Sequence, residues 1–135
     1  MGAGYSKRSL IEKLGIKPGY HVRLVNAPDG YSKLLGALPD GVILVSGEEP
    51  DLDFIQFFAI NQHEIELDLA PLIRQIKRSG TLWISWPKRS SGVATDLDEH
   101  VIREAGLASG LVDVKVIAVD ETWSGLKFIY RLKDR

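Results

Sequence analysis

The chain has 135 residues, of which 44% are hydrophobic and 26% charged, proportions that fit one globular domain and exclude disordered and fibrous classes. Its 17 basic and 18 acidic residues leave a net charge of -1, so no overall positive field favours nucleic acid. The sequence has no cysteine and no histidine pair at helical spacing, which excludes disulfides, thiolate chemistry and the usual zinc motifs. We therefore predict a single domain over residues 1–135 that has no metal site.

The first predicted element is a short helix. Ser6 can cap it, Leu10, Ile11 and Leu14 fall on one apolar face, and Gly15 is suited to end it. The chain contains neither the apolar stretch of a secretory signal nor one long enough to span a bilayer. We therefore expect a cytoplasmic protein without a membrane partner.

A strand, a turn and a second short helix follow in that order. Residues 21–26 predict the strand, residues 27–30 the turn, and residues 31–35 the helix. Two further strands are predicted over residues 42–45 and 53–60, and the second of these is apolar enough to be buried on both faces. Too few residues join these two strands for a helix, so either a bare crossover connects them or the first is a ragged edge.

An amphipathic helix and a fourth strand are predicted next. Asn61 and Glu64 fit a capping box, Pro71 should lie in the first turn or kink the helix, and Gly80 should end it. The apolar face of this helix consists of Leu69, Leu72, Ile73 and Ile76. Residues 81–86 then form the fourth strand.

The last predicted elements are a helix and a strand hairpin. Thr95 can cap the helix and Gly106 can end it. Residues 111–119 and 126–132 predict two strands joined by a loop over residues 120–125. Alternating strands and helices predict an α/β fold in three layers, with a mostly parallel sheet to which a C-terminal antiparallel hairpin adds an edge.

Three of the predicted loops should meet at the carboxyl ends of the strands, where α/β proteins bind their ligands. They cover residues 26–31, 86–92 and 120–125, and they contain two tryptophans, a Lys-Arg pair and a carboxylate pair. Surface loops are usually built from simple polar residues, so this concentration of aromatic and charged side chains predicts a ligand site at this edge. The predicted ligand-binding residues are Asn26, Asp29, Gly30, Tyr31, Trp86, Lys88, Arg89, Asp120, Glu121 and Trp123.

Each of these groups also has a structural interpretation. Trp86 and Trp123 can pack against the core instead of a ligand, and Asp29 can serve the turn that it shares with Gly30. The Lys-Arg pair can hold a phosphate or carboxylate, or it can face solvent. The carboxylate pair can act as a base or as an acceptor for ribose hydroxyls, or it can form ion pairs with the basic pair. The usual nucleophile, phosphate-loop and metalloprotease motifs are absent, so we predict no catalytic residue.

The layout of the chain resembles a small Rossmann-like methyltransferase fold of the S-adenosylmethionine (SAM) type. The resemblance is carried by the opening K-P-G turn, the first strand, the Ser-Gly pair before residues 81–86, and the closing hairpin. It implies a glycine-rich loop after the first strand that holds the amino-acid end of the cofactor. It also implies an acidic residue after the second strand that takes the ribose hydroxyls. In this chain the loop is N-A-P-D-G-Y, and Glu48 or Glu49 stands at the acidic position.

The chain is also similar, almost end to end, to a bacterial domain-of-unknown-function family. The matching runs are K-L-G-I-K-P-G (residues 13–19), N-A-P-D-G-Y (26–31), W-I-S-W-P-K (83–88) and V-D-V-K-V-I-A-V-D-E-T-W-S-G-L-K (112–127). This similarity implies the Rossmann-like fold of that family and a cytoplasmic bacterial setting, and it supplies no catalytic residue.

Because the N-A-P-D-G-Y loop has a proline and only one glycine, we predict a non-enzymatic module without a cofactor. It would bind a small anionic ligand or a protein partner, but no nucleic acid, at the carboxyl edge. The alternative is a divergent SAM-dependent methyltransferase, with Asp120 or Glu121 as base and the tryptophan rings stacked on adenine or substrate. A third prediction is a homodimer through the hairpin of residues 111–132, because a bare sheet edge invites pairing.

Overall fold

Four α-helices and six strands lie within residues 8–135, which are the residues that the computed structural model describes. The helices are α1 (Leu10–Leu14), α2 (Tyr31–Leu35), α3 (Gln62–Gln75) and α4 (Glu99–Ala108). The strands are β1 (His21–Val25), β2 (Ile43–Leu44), β3 (Leu52–Phe58), β4 (Ile76–Pro87), β5 (Leu111–Ala118) and β6 (Trp123–Tyr130). Within the described range, no helix combines the length and the apolar character needed to cross a bilayer.

All six strands form one sheet in the order β2-β1-β3-β4-β6-β5. Neighbours from β2 to β4 are parallel, whereas β6 is antiparallel to both β4 and β5. The predicted α/β fold with a mostly parallel sheet and a C-terminal hairpin is therefore confirmed. One detail differs, because the reversed strand β6 lies inside the sheet and not at its edge.

The two faces of the sheet are covered by different helices. On one face, Ile55 and Phe57 of β3 join a buried cluster with residues of α3 and α4. On the other face, Phe54 and Phe58 join a cluster with residues of α1 and α2. All four side chains are at most 1% exposed, so the continuous apolar run in β3 does reflect burial on both faces.

Helix α1 is capped by Ser9, whereas the predicted cap, Ser6, lies outside the described residues. The Ser9 hydroxyl accepts a hydrogen bond from the Glu12 N–H at 3.2 Å, and the Glu12 carboxylate accepts one from the Ser9 N–H at 2.9 Å. This reciprocal capping box fixes the start of the helix. Its end is tied to the sheet, because Trp83 Nε1 donates to the Leu14 carbonyl at 3.0 Å.

Helix α3 begins as predicted but ends earlier. The Asn61 side chain accepts a hydrogen bond from the N–H of the third residue after it, at 2.9 Å, which makes Asn61 the cap. Pro71 lies well inside the helix and not in its first turn. The helix ends at Gln75, because β4 starts at the next residue and runs through Gly80. A Cβ at Gly80 would lie 2.9 Å from the Leu52 carbonyl oxygen, so this glycine permits close packing and does not end a helix.

The predictions for both ends of α4 are wrong. Asp98 caps the helix by accepting from the N–H three residues on, at 2.8 Å. The Thr95 hydroxyl instead donates to the Ile60 carbonyl at 2.6 Å. Gly106 lies inside the helix, where a Cβ would lie 2.1 Å from the Phe128 ring. This glycine therefore lets α4 pack closely against the sheet.

The start of β6 and the edge strand β2 also differ from the sequence predictions. Strand β6 begins at Trp123, earlier than residue 126, because Ser124 and Gly125 pair with β4 and β5 and do not form a loop. Strand β2 has only two residues, and residues 45–51 connect it to β3 without a helix. The sequence allowed either a bare crossover between β2 and β3 or a ragged edge strand. The structure shows both features, because the connection contains no helix and β2 is a short strand at the edge of the sheet.

Candidate functional site

The predicted loops meet at one edge of the sheet. Strand β5 is parallel to β1, β3 and β4, so the β5–β6 turn lies at the same edge as the loops that follow β1 and β4. The Lys88 N–H donates to the Thr122 carbonyl at 2.7 Å and joins the second of these loops to the third. Residues of this edge contribute to the lining of two separate cavities.

The first cavity lies between the β1–α2 loop and the β5–β6 turn and has a volume of about 270 Å³. We call it the aromatic cavity. The structure brings five of the predicted ligand-binding residues together here, because both segments stand at the carboxyl edge. Its lining includes Asp29, Gly30, Tyr31, Asp120, Thr122 and Trp123.

Asp120 shapes the β5–β6 turn. One of its carboxylate oxygens accepts two hydrogen bonds, from the Thr122 N–H at 2.8 Å and from the Trp123 N–H at 2.7 Å. The other oxygen has no hydrogen-bond partner within residues 8–135. The turn therefore holds a half-buried carboxylate against the cavity with one oxygen available to a ligand.

The two tryptophans of the predicted site have different environments. Trp123 is half-buried and makes an edge-type contact with Phe58, whose ring centroid lies 5.2 Å away, and Phe58 makes a similar contact with Tyr31 at 4.8 Å. Trp123 thus both packs on the core and lines the aromatic cavity. Trp86 is only 5% exposed and packs on the α3 and α4 side of the sheet, away from this cavity.

A buried chain of polar side chains lies beneath the aromatic cavity. The Tyr31 hydroxyl donates to Gln56 at 2.6 Å, and Gln56 donates to the Ser85 hydroxyl at 3.1 Å. All three side chains are buried. Sequence reasoning missed Gln56 and Ser85, although each is a lone polar residue within an apolar strand, which was the available signal. The chain anchors Tyr31, at the end of the β1–α2 loop, to two central strands.

Burial raises the pKa of the Tyr31 hydroxyl well above its ordinary value, and the negative charge of Asp120 adds to this effect. In the unfolded chain the same hydroxyl ionises near pH 10. The folded state keeps the Tyr31 proton at a pH where the unfolded state loses it. The contribution of Tyr31 to stability is therefore constant below about pH 10 and falls above it. We expect Tyr31→Phe to remove this share of the alkaline decline, measured as the free energy of urea unfolding between about pH 9 and 11.

The control for this prediction is Tyr20→Phe, which changes a half-buried tyrosine outside the polar chain. The comparison uses the slope of stability with pH, because Tyr31→Phe also lowers stability at neutral pH by removing the hydrogen bond to Gln56. Equal slopes for wild type and Tyr31→Phe would contradict the prediction.

The second cavity, which we call the flank cavity, lies beside β1 on the α3 side and has a volume of about 490 Å³. Asn26, directly after β1, and Glu48, after β2, both line it. Its walls also include Arg23, Arg74 and Gln75. The sequence left Glu48 and Glu49 as alternatives for the acidic position, and the structure brings only Glu48 to a cavity that Asn26 also lines.

Gln75 fixes the backbone around Glu48. Its side-chain nitrogen donates to the Gly47 carbonyl at 2.8 Å and to the Glu49 carbonyl at 2.9 Å, and Arg23 donates to its oxygen. These bonds hold the crossover segment on both sides of Glu48 against α3. No local sequence pattern indicates these bonds, because their partners lie far apart along the chain.

The β1–α2 loop adopts glycine-type backbone angles at two positions. Gly30 has φ 81°, and Asn26 has φ 58° although it is not a glycine. Asparagine is one of the few residues that tolerate this left-handed region. A Cβ at Gly30 would meet nothing within 4 Å, so the loop is open above this residue. The loop backbone therefore turns as a glycine-richer sequence would.

The remaining predicted residues lie apart from the two cavities. Lys88 precedes a short 3₁₀ turn, Arg89–Ser91, and Arg89 lines a different cavity formed with residues 92–98. Glu121 is exposed. None of the ion pairs among the described residues joins this basic pair to the carboxylate pair. Anion binding by Lys88 and Arg89 stays a prediction.

Comparisons with known proteins identify the fold. No protein-family model and no curated protein matches the sequence. Among solved structures, a SAM-dependent methyltransferase from Aquifex aeolicus is 21% identical, with a TM-score of 0.62 over 88% of this chain and 86% of that one. A putative type 11 methyltransferase from Sulfolobus solfataricus is 20% identical, with a TM-score of 0.63 over 90% and 89% of the two chains.

A third similar structure contains a cofactor product. It is the 1,6-didemethyltoxoflavin-N1-methyltransferase from Burkholderia thailandensis, solved with bound 1,6-didemethyltoxoflavin and S-adenosylhomocysteine. It is 12% identical, with a TM-score of 0.58 over 88% of this chain and 73% of that one. At such identities the similarity establishes a Rossmann-like methyltransferase fold.

These findings correct two expectations from the sequence. The prediction of a non-enzymatic binding module is wrong, because the similar structures are methyltransferases and favour the alternative. The prediction that no cofactor is used is wrong as well, because those proteins point to SAM. Both errors came from counting glycines in the β1–α2 loop, whereas Asn26 already adopts a glycine-type conformation.

Proposed function

We propose that this protein is a SAM-dependent methyltransferase that holds its cofactor across the carboxyl ends of β1 and β2. The observation that carries the proposal is that Asn26, directly after β1, and Glu48, in the segment that follows β2, line a single cavity. Ligands of open α/β sheets bind at this edge. The methyltransferase fold of the similar structures supports the same cofactor.

The residues present suit the cofactor. The Glu48 carboxylate can accept charge-assisted hydrogen bonds from the two ribose hydroxyls. The start of the β1–α2 loop, where Asn26 lines the same cavity, would hold the amino-acid end of the cofactor, although Pro28 removes one N–H donor from this loop. When bound, SAM supplies an electrophilic methyl group on a positively charged sulfur.

The β1–α2 loop also lies between the two cavities. Asn26 at its start lines the flank cavity, and Asp29 to Tyr31 at its end line the aromatic cavity. The proposal places the cofactor on one side of this loop and the methyl acceptor on the other. The two cavities then have separate roles, one for the cofactor and one for the acceptor.

The test is the affinity for S-adenosylhomocysteine, measured by isothermal titration calorimetry. We expect Glu48→Gln to weaken binding by about 10- to 100-fold, since a hydrogen bond to a charged group contributes about 1.5–3 kcal/mol. The matched control is Glu49→Gln, which changes an adjacent exposed carboxylate outside the cavity lining and keeps the carbonyl that Gln75 binds.

Two outcomes would count against the proposal. If the wild-type protein fails to bind S-adenosylhomocysteine at high micromolar concentration, the cofactor assignment is overturned. If Glu48→Gln and Glu49→Gln weaken binding equally, Glu48 does not contact the ribose.

The setting and assembly of the protein are further parts of the proposal. The cytoplasmic bacterial setting stays a proposal, and it rests only on the sequence runs at residues 13–19, 26–31, 83–88 and 112–127. A homodimer through the edge strand β5 also stays a proposal, supported by the exposed side chains of Val114 and Val116 on that strand.

A further inference from the structure

The aromatic cavity has a distinctive chemical lining. Two carboxylates, Asp29 and Asp120, lie beside the aromatic rings of Tyr31 and Trp123. No lysine, arginine or histidine among the described residues contributes to its lining. A site with this composition attracts a cation that has an apolar body, and it repels an anion.

Asp120 is the more informative of the two carboxylates. It is half-buried, and the turn bonds engage only one of its oxygens. A carboxylate that is partly removed from water gains from a cationic hydrogen-bond donor at its remaining oxygen. Asp29 is exposed at the rim and adds a second negative charge there.

Trp123 provides the complementary aromatic surface, whereas Tyr31 is buried. Trp123 is held by its contact with Phe58 at a centroid distance of 5.2 Å, and it is only partly buried and lines the cavity. A cation within about 6 Å of such a ring is attracted by its π electrons. The volume of about 270 Å³ lies below the range of drug-sized pockets, about 300–1,000 Å³, and accommodates one ring with a short chain.

We infer that the aromatic cavity binds a small amine with an aromatic or apolar body, and that the nitrogen of this amine is the methyl acceptor. The inference rests on the proposed function, and it names the substrate class. Before the transfer, the bound ammonium loses one proton to water at the cavity mouth, which leaves a neutral nitrogen with a lone pair. This lone pair forms a bond to the methyl carbon while the sulfur–methyl bond breaks with its electron pair going to sulfur, and the methylated amine leaves as an ammonium cation.

The test uses three probes of similar size on the wild-type protein without cofactor. They are 2-phenylethylamine, which is a cation, 3-phenylpropanoate, which is an anion, and 2-phenylethanol, which is neutral. Binding is measured by calorimetry and by saturation-transfer NMR. We expect the amine to bind at least about 10-fold more tightly than the anion, because the repelled anion loses more than about 1.4 kcal/mol. Equal or tighter binding of the anion overturns the inference.

Substitutions in its lining test whether the amine binds in the aromatic cavity. Asp120→Asn keeps a carbonyl oxygen for the N–H groups of Thr122 and Trp123 but removes the charge, and we expect it to weaken amine binding at least about 10-fold. Asp29→Asn is an exposed change that tests the same charge if Asp120→Asn disturbs folding. Asp40→Asn, on an exposed loop outside the cavity, is the control and should change nothing. Unchanged binding in folded Asp120→Asn and Asp29→Asn proteins overturns the inference.

The two proposals fail in different ways. Binding of S-adenosylhomocysteine without binding of the amine overturns only the acceptor inference. Binding of the amine without S-adenosylhomocysteine leaves an amine site but overturns the methyltransferase proposal and with it the acceptor role.

Discussion

Replacement of Trp83 by alanine is expected to lower the free energy of unfolding by about 3–5 kcal/mol, the usual cost of emptying a large aromatic site in a core. Trp83 is 0% exposed and is among the largest fully buried side chains. It packs in the cluster that joins α1 and α2 to the sheet. Its indole nitrogen also donates to the Leu14 carbonyl, so the substitution removes the bond that ties α1 to β4.

Trp83→Phe separates the two contributions. It keeps most of the packed ring but removes the donor, which should cost about 1–3 kcal/mol for the unpaired Leu14 carbonyl. Urea unfolding followed by far-ultraviolet circular dichroism measures both variants without relying on tryptophan fluorescence. A loss below about 1 kcal/mol for Trp83→Ala would contradict the central position that the structure gives to this side chain.

Replacement of Gln56 by leucine should also be costly, although leucine is apolar and of similar size. Gln56 is 0% exposed, accepts from Tyr31 and donates to Ser85, so leucine leaves two buried hydroxyls without this partner. Each orphaned hydroxyl costs about 1–3 kcal/mol, and we expect a total loss of about 2–4 kcal/mol. The measurement is urea unfolding at neutral pH.

A double-mutant cycle makes this prediction specific. Combining Gln56→Leu with Tyr31→Phe removes both partners of the shorter hydrogen bond and should restore at least about 1 kcal/mol relative to Gln56→Leu alone. The single variant Tyr31→Phe completes the cycle. If the two losses in the free energy of unfolding simply add in the double variant, the two side chains are not energetically coupled. That result would contradict the prediction, which rests on the 2.6 Å hydrogen bond between them.

The order and type of the elements were predictable because they follow from local patterns. Apolar runs identified the buried strands, and the spacing of apolar residues identified the faces of the helices. The ends of the elements were less predictable. Gly80 and Gly106 were both interpreted as helix stops, but each lies where a Cβ would collide with another element. A glycine needed for turning and a glycine needed for close packing are identical in sequence.

The site was predictable only in part, for a similar reason. Asp29 and Asp120 could be grouped because each follows a predicted strand, and strand ends meet at one edge. Gln75, by contrast, acts through Gly47, which lies 28 positions away. Its hydrogen-bonding partners are set by tertiary packing and leave no local signal. The same packing decides that Glu48, and not its neighbour Glu49, reaches the flank cavity.

The position of β6 inside the sheet determines the order in which the sheet can be completed during synthesis. β4 and β5 do not pair with each other, and both pair with β6, which the ribosome makes after them. Until residues 123–130 emerge, β4 keeps an open edge and β5 has no partner strand. The missing contacts are also distant along the chain, since Leu82 pairs with Phe128. Closing such a long loop is slow. Until it closes, the nascent chain exposes the edges of β4 and β5 that later pair with β6, and a chaperone or a second nascent chain can bind to them.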